Sequence, residues 1–125
     1  MPRFVILRHD CPPGYNRGLH WDFMLEMGDV LRTWALAESP VAAIAIAAAA
    51  LPDHRLAYLD FEGPLSGDRG SVARWDQGSY ELVSRQDDEW IVELFGERLI
   101  GRATLRRSPA AAPSWSWHFV PVPAE

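Results

Sequence analysis

The chain has 125 residues, 48% of them hydrophobic, which suits one folded domain with one core over residues 1–125. Its net charge is −5, from 17 acidic and 12 basic residues, and every basic residue is an arginine. This balance argues against a general nucleic-acid binder, because such proteins neutralise many phosphates, but it allows a small pocket for one nucleic-acid end.

The sequence also indicates a cellular location. No apolar run reaches about 18 residues, so we expect no membrane span. The N-terminus MPRFVILRHD lacks a signal-peptide pattern, and a single cysteine cannot form an internal disulfide. We therefore expect a cytoplasmic protein.

The first third of the chain predicts three consecutive strands. Residues 4–7 are an apolar run, residues 19–25 alternate between apolar and polar side chains, and residues 30–36 follow a Met27-Gly28-Asp29 turn. The alternation in the second strand places three side chains on one face: His20, Asp22 and Met24. These segments predict an antiparallel β-meander.

The next segment, residues 40–51, is ambiguous. Its alanines favour helix, whereas its β-branched residues and the flanking Pro40 and Pro52 oppose a long one. We predict a short helix or loop that leads into a strand.

The rest of the chain predicts short strands separated by turns. The expected strands are 71–75, 80–85, 90–95, 98–107 and 114–122. A loop is expected over 62–71, turns at 76–78 and Gly96-Glu97, and a bulge at Gly101. Together, about seven to eight short antiparallel strands with little helix predict a mostly β protein, a small single-domain antiparallel β-barrel, with a sandwich as the alternative.

Two histidines and one carboxylate form the first site candidate. His20 and Asp22 share one face of a strand, about 6.5–7 Å apart along the backbone, and His9 ends the neighbouring strand. Two imidazoles and a carboxylate suit Mn, Fe or Zn with open positions. The alternative is that this polar face simply meets water.

Other interpretations of these residues are weaker. The same ligand types occur in Fe(II) oxygenases, where His54 or His118 would be the third ligand, but only 7 residues follow His118 and the chain is short for that fold. We expect His118, between Trp117 and Phe119, to be structural. A Ser-His-Asp hydrolase lacks its G-x-S-x-G motif, and a ligand-binding barrel would use tryptophans that are more simply core residues.

Three further residues have side chains that could take part in binding or catalysis. His54 and Tyr58 lie four apart, and on a strand they would face one side as a donor pair for an oxyanion. The alternative is a satisfied histidine and a core tyrosine. Cys11 is close to His9 and could be a ligand, but a free cysteine beside a loop is more often incidental, and it has no C-x-x-C partner.

Six segments in order resemble a known family. They are FVILRH, LHWDFMLE, VLRTWAL, PDHRLAYLDFEG, SVARWDQGSY and GERLIGRATLRR, which span about residues 4 to 120. They resemble the 3′-phosphoesterase domain of bacterial DNA ligase D. The resemblance implies a compact β-barrel that trims ribonucleotides and phosphates from 3′ ends before ligation.

The resemblance also implies roles for individual residues. His9, His20 and Asp22 match the family's metal ligands, for Mn²⁺ preferentially, with Zn²⁺ or another divalent transition metal as the alternative. His54 and Tyr58 match its catalytic pair. The implied partners are a nucleic-acid 3′ end or a smaller phosphoester, and a DNA repair ligase or polymerase.

The chain departs from the family where phosphate would be held. Met24, Glu38 and Ile46 stand at or near positions of family arginine or lysine residues. The segment between His9 and His20 is also longer than the family's five residues. These departures favour the competing hypothesis, a non-catalytic metal-bound barrel that binds a nucleic-acid end or a protein.

Arginines elsewhere in the chain could replace the lost cations. The candidates for substrate binding are Arg17, Arg55 and Arg69. Arg69 comes first, because the glycines of GDRGS allow its loop to approach a pocket closely.

Overall fold

The computed structural model describes residues 1–12, 18–41, 45–67, 69–108 and 114–122. The strands and one short 3₁₀ helix follow in chain order: β1 (Arg3–Asp10), β2 (His20–Met27), β3 (Val30–Leu36), β4 (Ile46–Arg55), the 3₁₀ helix (Leu56–Leu59), β5 (Gly63–Pro64), β6 (Ser71–Gln86), β7 (Glu89–Gly96), β8 (Ile100–Arg107) and β9 (Ser114–Pro121). In these ranges no helix has the length and apolar character to cross a bilayer.

The strands close into a barrel. Their order is β1-β2-β3-β4-β9-β8-β7-β6-β5, and β1 also pairs with β6, so eight strands form a ring and β5 adds to one edge of β6. All pairings are antiparallel. The predicted small antiparallel barrel is confirmed, as is the predicted third strand over 30–36.

Aromatic side chains fill the barrel. Phe23 contacts Trp117 with ring centroids 4.8 Å apart, and Trp34 contacts Trp90 at 5.2 Å and Trp115 at 5.8 Å, all edge-on. This tilted geometry is the one that aromatic quadrupoles favour. Most tryptophans are therefore core residues, as the sequence predicted.

A second, smaller core lies on the outer face of β1, β2 and β3. It contains Val5, Leu7, Met24, Leu31, Leu59 and Val72, packed against the segment 56–65. Burying a large apolar side chain contributes about 1.5–3 kcal/mol, so this segment is held firmly on the sheet. Because both faces of β2 are covered, the hypothesis that its polar face meets water is wrong: Asp22 is only 3% exposed.

The alanine-rich segment differs from expectation. Residues 46–51 belong to strand β4, so the predicted short helix is wrong there, and residues 42–44 lie outside the described ranges. Ala48 pairs with Leu36 of β3 on one side and with Trp115 of β9 on the other. These two ladders outweigh the helix propensity of alanine.

Strand β6 also differs, because it runs without interruption through the predicted turn at 76–78. It pairs first with β1 and then with β7. Its pairing with β1 contains a register shift, because Ile6 pairs with Asp76 whereas Leu7 pairs with Arg74. Such bulges bend a strand, which a closing barrel requires. At Gly101 both ladders continue in register, so the predicted bulge there is wrong.

The side chain of Asp76 organises a turn elsewhere in the chain. Its Oδ1 accepts N–H groups of Gln77 at 2.8 Å, Glu97 at 2.8 Å and Arg98 at 2.9 Å, and its Oδ2 accepts the Leu99 N–H at 2.9 Å. The β7–β8 connection is therefore a three-residue turn over 97–99, not the predicted Gly96-Glu97 pair. Asp76 is 2% exposed, so these donors have no easy replacement by water.

Replacing Asp76 tests this interpretation. Asp76→Ala should lower the free energy of unfolding by about 3–5 kcal/mol, because buried donors lose a charged acceptor. Asp76→Asn, which keeps one oxygen, should cost about 1–3 kcal/mol. Urea unfolding measures both, and equal stability of Asp76→Ala and the unmodified protein would contradict the role.

Gly96 is part of this arrangement, since a Cβ there would lie 2.4 Å from Asp76 Oδ2.

Candidate active site

The pairing of β1 with β2 brings the predicted metal ligands together. His9 is the cross-strand partner of His20, and their ring centroids are 4.6 Å apart. Asp22 follows His20 by two residues, so its side chain emerges on the same outer face. The register therefore places all three side chains at one end of the two strands.

Both oxygens of Asp22 contact a histidine. Oδ2 lies 3.3 Å from His9 Nδ1, and Oδ1 lies 3.1 Å from His20 Nε2. The second contact is close enough for an ion pair but lacks hydrogen-bond geometry, and Oδ1 is a buried oxygen without a hydrogen-bond partner among the described residues. A buried carboxylate oxygen in this state is costly unless a cation lies beside it.

The outer nitrogen of each ring is held by a backbone carbonyl. His9 Nε2 donates to Arg69 O at 2.9 Å, and His20 Nδ1 donates to Gly18 O at 2.8 Å. In a neutral ring the other nitrogen then carries a lone pair, so two lone pairs face the carboxylate of Asp22. This arrangement of outer-shell acceptors is typical of metal-ligating histidines.

The candidate ligands do not form a single compact group. Asp22 contacts His9 and His20 through different oxygens, at 3.3 Å and 3.1 Å. The ligand atoms that lie within 4.8 Å of one another belong to His9, Cys11 and His20, and Asp22 is not part of this group. The donor set of imidazole and carboxylate suits Mn, Fe or Zn.

The electrostatics of the triad point the same way. Burial alone would raise the pKa of Asp22, but the contacts with His20 and His9 outweigh it and lower that pKa. The pKa of His9 is raised, chiefly by its hydrogen bond with Asp22 and against the effect of burial. The site therefore stabilises positive charge beside Asp22.

The position of His54 depends on a bulge in β4. Leu31 of β3 faces His54, whereas Thr33 faces Leu51, so Arg32 alone is opposite the pair 52–53. On a regular strand, residues three apart face opposite sides. The extra residue of the bulge reverses this alternation, so Leu51 and His54 both line the cavity on the outer face. The sequence signal for this bulge is Pro52, which cannot donate to a ladder.

Tyr58 is placed by the 3₁₀ helix, not by a strand. The expectation that His54 and Tyr58 face one side of a single strand is wrong, because β4 ends at Arg55. The two rings nevertheless meet edge-on with centroids 5.7 Å apart. The chain turn after β4 brings them together.

The five residues line one cavity of about 220 Å³ on the outer face. Its polar lining is His9, His20, Asp22, His54, Tyr58 and Arg69, and its apolar lining is Leu7, Met24, Leu51, Leu65 and Val72. A few convergent polar groups on an apolar wall are typical of a small-molecule or end-binding site. His54 Nδ1 also donates to Pro52 O at 2.9 Å and Tyr58 packs against the outer core, so the arrangement agrees with the alternative of a satisfied histidine and a core tyrosine as well.

The three candidate arginines have different positions. Arg69 lines the cavity, and its guanidinium donates to the carbonyl oxygen of Ser66 at 2.7 Å and to its hydroxyl at 2.9 Å. Arg55 lines an adjoining depression that shares Tyr58 and Arg69 with the cavity. Arg17 lies outside the described residues.

The three residues at which the resemblance implies cations have different positions. Met24 is fully buried and forms part of the cavity wall. Ile46 is buried in the barrel core, and Glu38 is exposed beyond the end of β3. His118 is exposed on β9 and does not line the cavity.

The metal-free protein should show a pH dependence of stability that requires Asp22. Because the pKa of His9 is raised above 6.5 in the folded state, its stabilisation is present below that value and is lost as pH rises through the folded pKa. The free energy of unfolding, measured in urea with a chelator, should therefore be higher at about pH 6 than at about pH 8. This difference should be larger in the unmodified protein than in Asp22→Asn. Identical pH dependence in both proteins would contradict the coupling.

Comparison with known proteins places the chain in a family. The sequence model of the DNA ligase D 3′-phosphoesterase domain matches residues 9–107. The chain is 37% identical over 114 residues to the multifunctional non-homologous end joining DNA repair protein LigD of Mycobacterium tuberculosis, and equally to the LigD of Mycobacterium bovis. It is 30% identical over 128 residues to the LigD of Pseudomonas aeruginosa.

These alignments cover most of the chain but little of the relatives. They include 84% of the chain for the mycobacterial proteins and 94% for the Pseudomonas protein. The same alignments span 14% and 15% of the relatives' own lengths. The resemblance in the six sequence segments is thus confirmed, and the chain belongs to the DNA ligase D 3′-phosphoesterase domain family.

Proposed function

We propose that this chain is a divalent-metal-dependent phosphoesterase that removes 3′-phosphates or 3′-ribonucleotides from nucleic-acid ends. The observation that carries the proposal is the buried carboxylate of Asp22, whose two oxygens face His9 and His20 in the cavity that His54 and Tyr58 also line. Membership of the phosphoesterase domain family supports the reaction type.

The metal-binding role falls to the triad. His9, His20 and Asp22 would hold Mn²⁺, Zn²⁺ or another divalent transition metal. When bound, such an ion supplies positive charge for phosphoryl oxygens and makes a water molecule more acidic. The backbone carbonyls of Arg69 and Gly18 hold the two rings by hydrogen bonds, and the other nitrogen of each ring lies 3.3 Å and 3.1 Å from Asp22, which supports this role.

His54 and Tyr58 would handle the phosphate. His54 Nδ1 donates to Pro52 O at 2.9 Å, which leaves Nε2 as the ring atom free to donate a proton. A protonated Nε2 would act as general acid or as a donor to the transition-state oxyanion. The Tyr58 hydroxyl would orient the phosphate, and the apolar wall would limit water.

The charge of the chain supports the proposed substrate, and the names of the relatives support the proposed partners. A net charge of −5 disfavours broad contact with a duplex, so the protein would bind a terminus in its cavity. A 3′-phosphate, a 3′-ribonucleotide or a smaller phosphoester would fit this requirement. Because the relatives are named for end joining and DNA repair, we propose that the chain works in the cytoplasm beside a repair ligase or polymerase.

A non-catalytic function has one specific observation in its favour. Met24 is fully buried in the cavity wall at a position where the resemblance implies an arginine. A charge-assisted contact to phosphate is worth about 1.5–3 kcal/mol, so its loss weakens phosphate binding substantially. The same fold could then hold a metal and bind an end without cleaving it.

An end-processing assay separates the two functions. With Mn²⁺ and primers that carry a 3′-phosphate or a single 3′-ribonucleotide, the unmodified protein should release phosphate or nucleoside. His20→Ala and His54→Ala should each lower the rate at least about 100-fold. His118→Ala, which removes an exposed histidine on β9, should leave the rate unchanged. Absence of turnover with one equivalent of metal bound would favour the non-catalytic barrel.

Arg69 should provide the phosphate contact that Met24 cannot. Arg69→Ala should lower kcat/KM about ten- to a hundred-fold, because one charge-assisted contact to the transition state is lost. The matched control is Arg102→Ala, which removes an arginine paired with Glu93 on the β7–β8 side of the barrel. Equal rates for the two variants would remove Arg69 from the proposed site.

A further inference from the structure

A further donor lies beside two of the predicted metal ligands, although it does not line the cavity. One ligand atom each of His9, Cys11 and His20 lie within 4.8 Å of one another. Cys11 is half-buried and directly follows the end of β1, so the strand that carries His9 also positions the thiol. It is the only cysteine of the chain.

A second observation points to a cation at this place. Asp22 is 3% exposed, and its Oδ1 is buried 3.1 Å from His20 Nε2, with no hydrogen-bond partner in the part of the chain that the structure describes. The contact distances of Asp22 and the position of Cys11 are independent, because the two side chains come from different strand ends. Both nevertheless converge on the rings of His9 and His20.

We propose that Cys11 is a fourth ligand of the cation held by His9, His20 and Asp22, and that it shifts the preference of the site from Mn²⁺ towards Zn²⁺. This inference rests on the proposed metal site and specifies its ion. Thiolate is a soft ligand that suits Zn²⁺, whereas Mn²⁺ prefers carboxylate, carbonyl and water oxygens. On binding, the thiol would release its proton to solvent and ligate as thiolate.

A fourth protein ligand is compatible with a substrate site. Zinc centres are bound by cysteine, histidine and carboxylate side chains and can expand from four to five ligands during reaction. The proposed donors are two imidazoles and one thiol, whose ligand atoms lie within 4.8 Å of one another, and the carboxylate of Asp22, which contacts both imidazoles. Imidazole, thiolate and carboxylate are all zinc ligands.

Cobalt provides a direct test that does not depend on turnover. Metal-free full-length protein is titrated with Co²⁺, with a phosphine in place of a thiol reductant. A near-ultraviolet thiolate-to-cobalt charge-transfer band should appear with one equivalent, and it can come only from Cys11. Cys11→Ser should keep the visible cobalt bands and lose the charge-transfer band.

Competition titrations measure the proposed selectivity. Cys11→Ser should lower Zn²⁺ affinity at least about tenfold. Loss of an outer-shell partner typically lowers metal affinity about 10–100-fold, and loss of a direct ligand should lower it at least as much. Its Mn²⁺ affinity should change less than about threefold, because the thiolate contributes little to a hard ion. Equal losses for both ions would overturn the selectivity.

A chemical measurement on the unmodified chain guards against variants that fail to fold. Zn²⁺ should protect Cys11 from alkylation, and Mn²⁺ should protect it much less. Cobalt bound without a charge-transfer band, together with unprotected Cys11, would overturn the cysteine ligand and leave the triad intact. His20→Ala is expected to bind no cobalt. If the unmodified protein also binds none, the metal-binding triad is overturned, and with it the proposed function.

Discussion

The structure depends most on the register between β1 and β2. His9 lies opposite His20, and Asp22 follows on the same face, so one ladder determines the entire candidate metal site. A slip of one residue would turn His20 and Asp22 into the barrel and Phe23 out of it. The register is secured because both faces are buried: Phe23 packs inside the barrel, and Met24 packs in the outer core.

The outer core converts a sheet surface into a site. An antiparallel barrel normally exposes its outer face, but the segment 56–65 covers β1, β2 and β3 and leaves a cavity beside its own end. Burial makes the carboxylate of Asp22 dependent on a nearby positive charge. The same covering segment contributes Tyr58 and Leu65 to the cavity, so the fold and the site share one element.

The site combines features that agree with its family and features that depart from it. His9 and His20 both contact Asp22, the three residues that the resemblance implies as metal ligands, whereas the buried Met24 stands where the resemblance implies an arginine. Arg69 also lines the cavity, and its backbone carbonyl orients His9. Phosphate binding would therefore come from a different direction, and Cys11 would alter which ion is held.

The sequence by itself determined the barrel, the strands β2 and β3, and the candidate ligands of the first hairpin, because period-two alternation and short strand spacing are local patterns. It also pointed to His54 and Tyr58 through their spacing and the family resemblance, and to Arg69 through the glycines of its loop. Only the tertiary structure decided that β4 is a strand with a bulge at 52–53 and that Cys11 is near both histidines. These features depend on pairing between distant segments and on a covering segment, and local propensity contains no information about either.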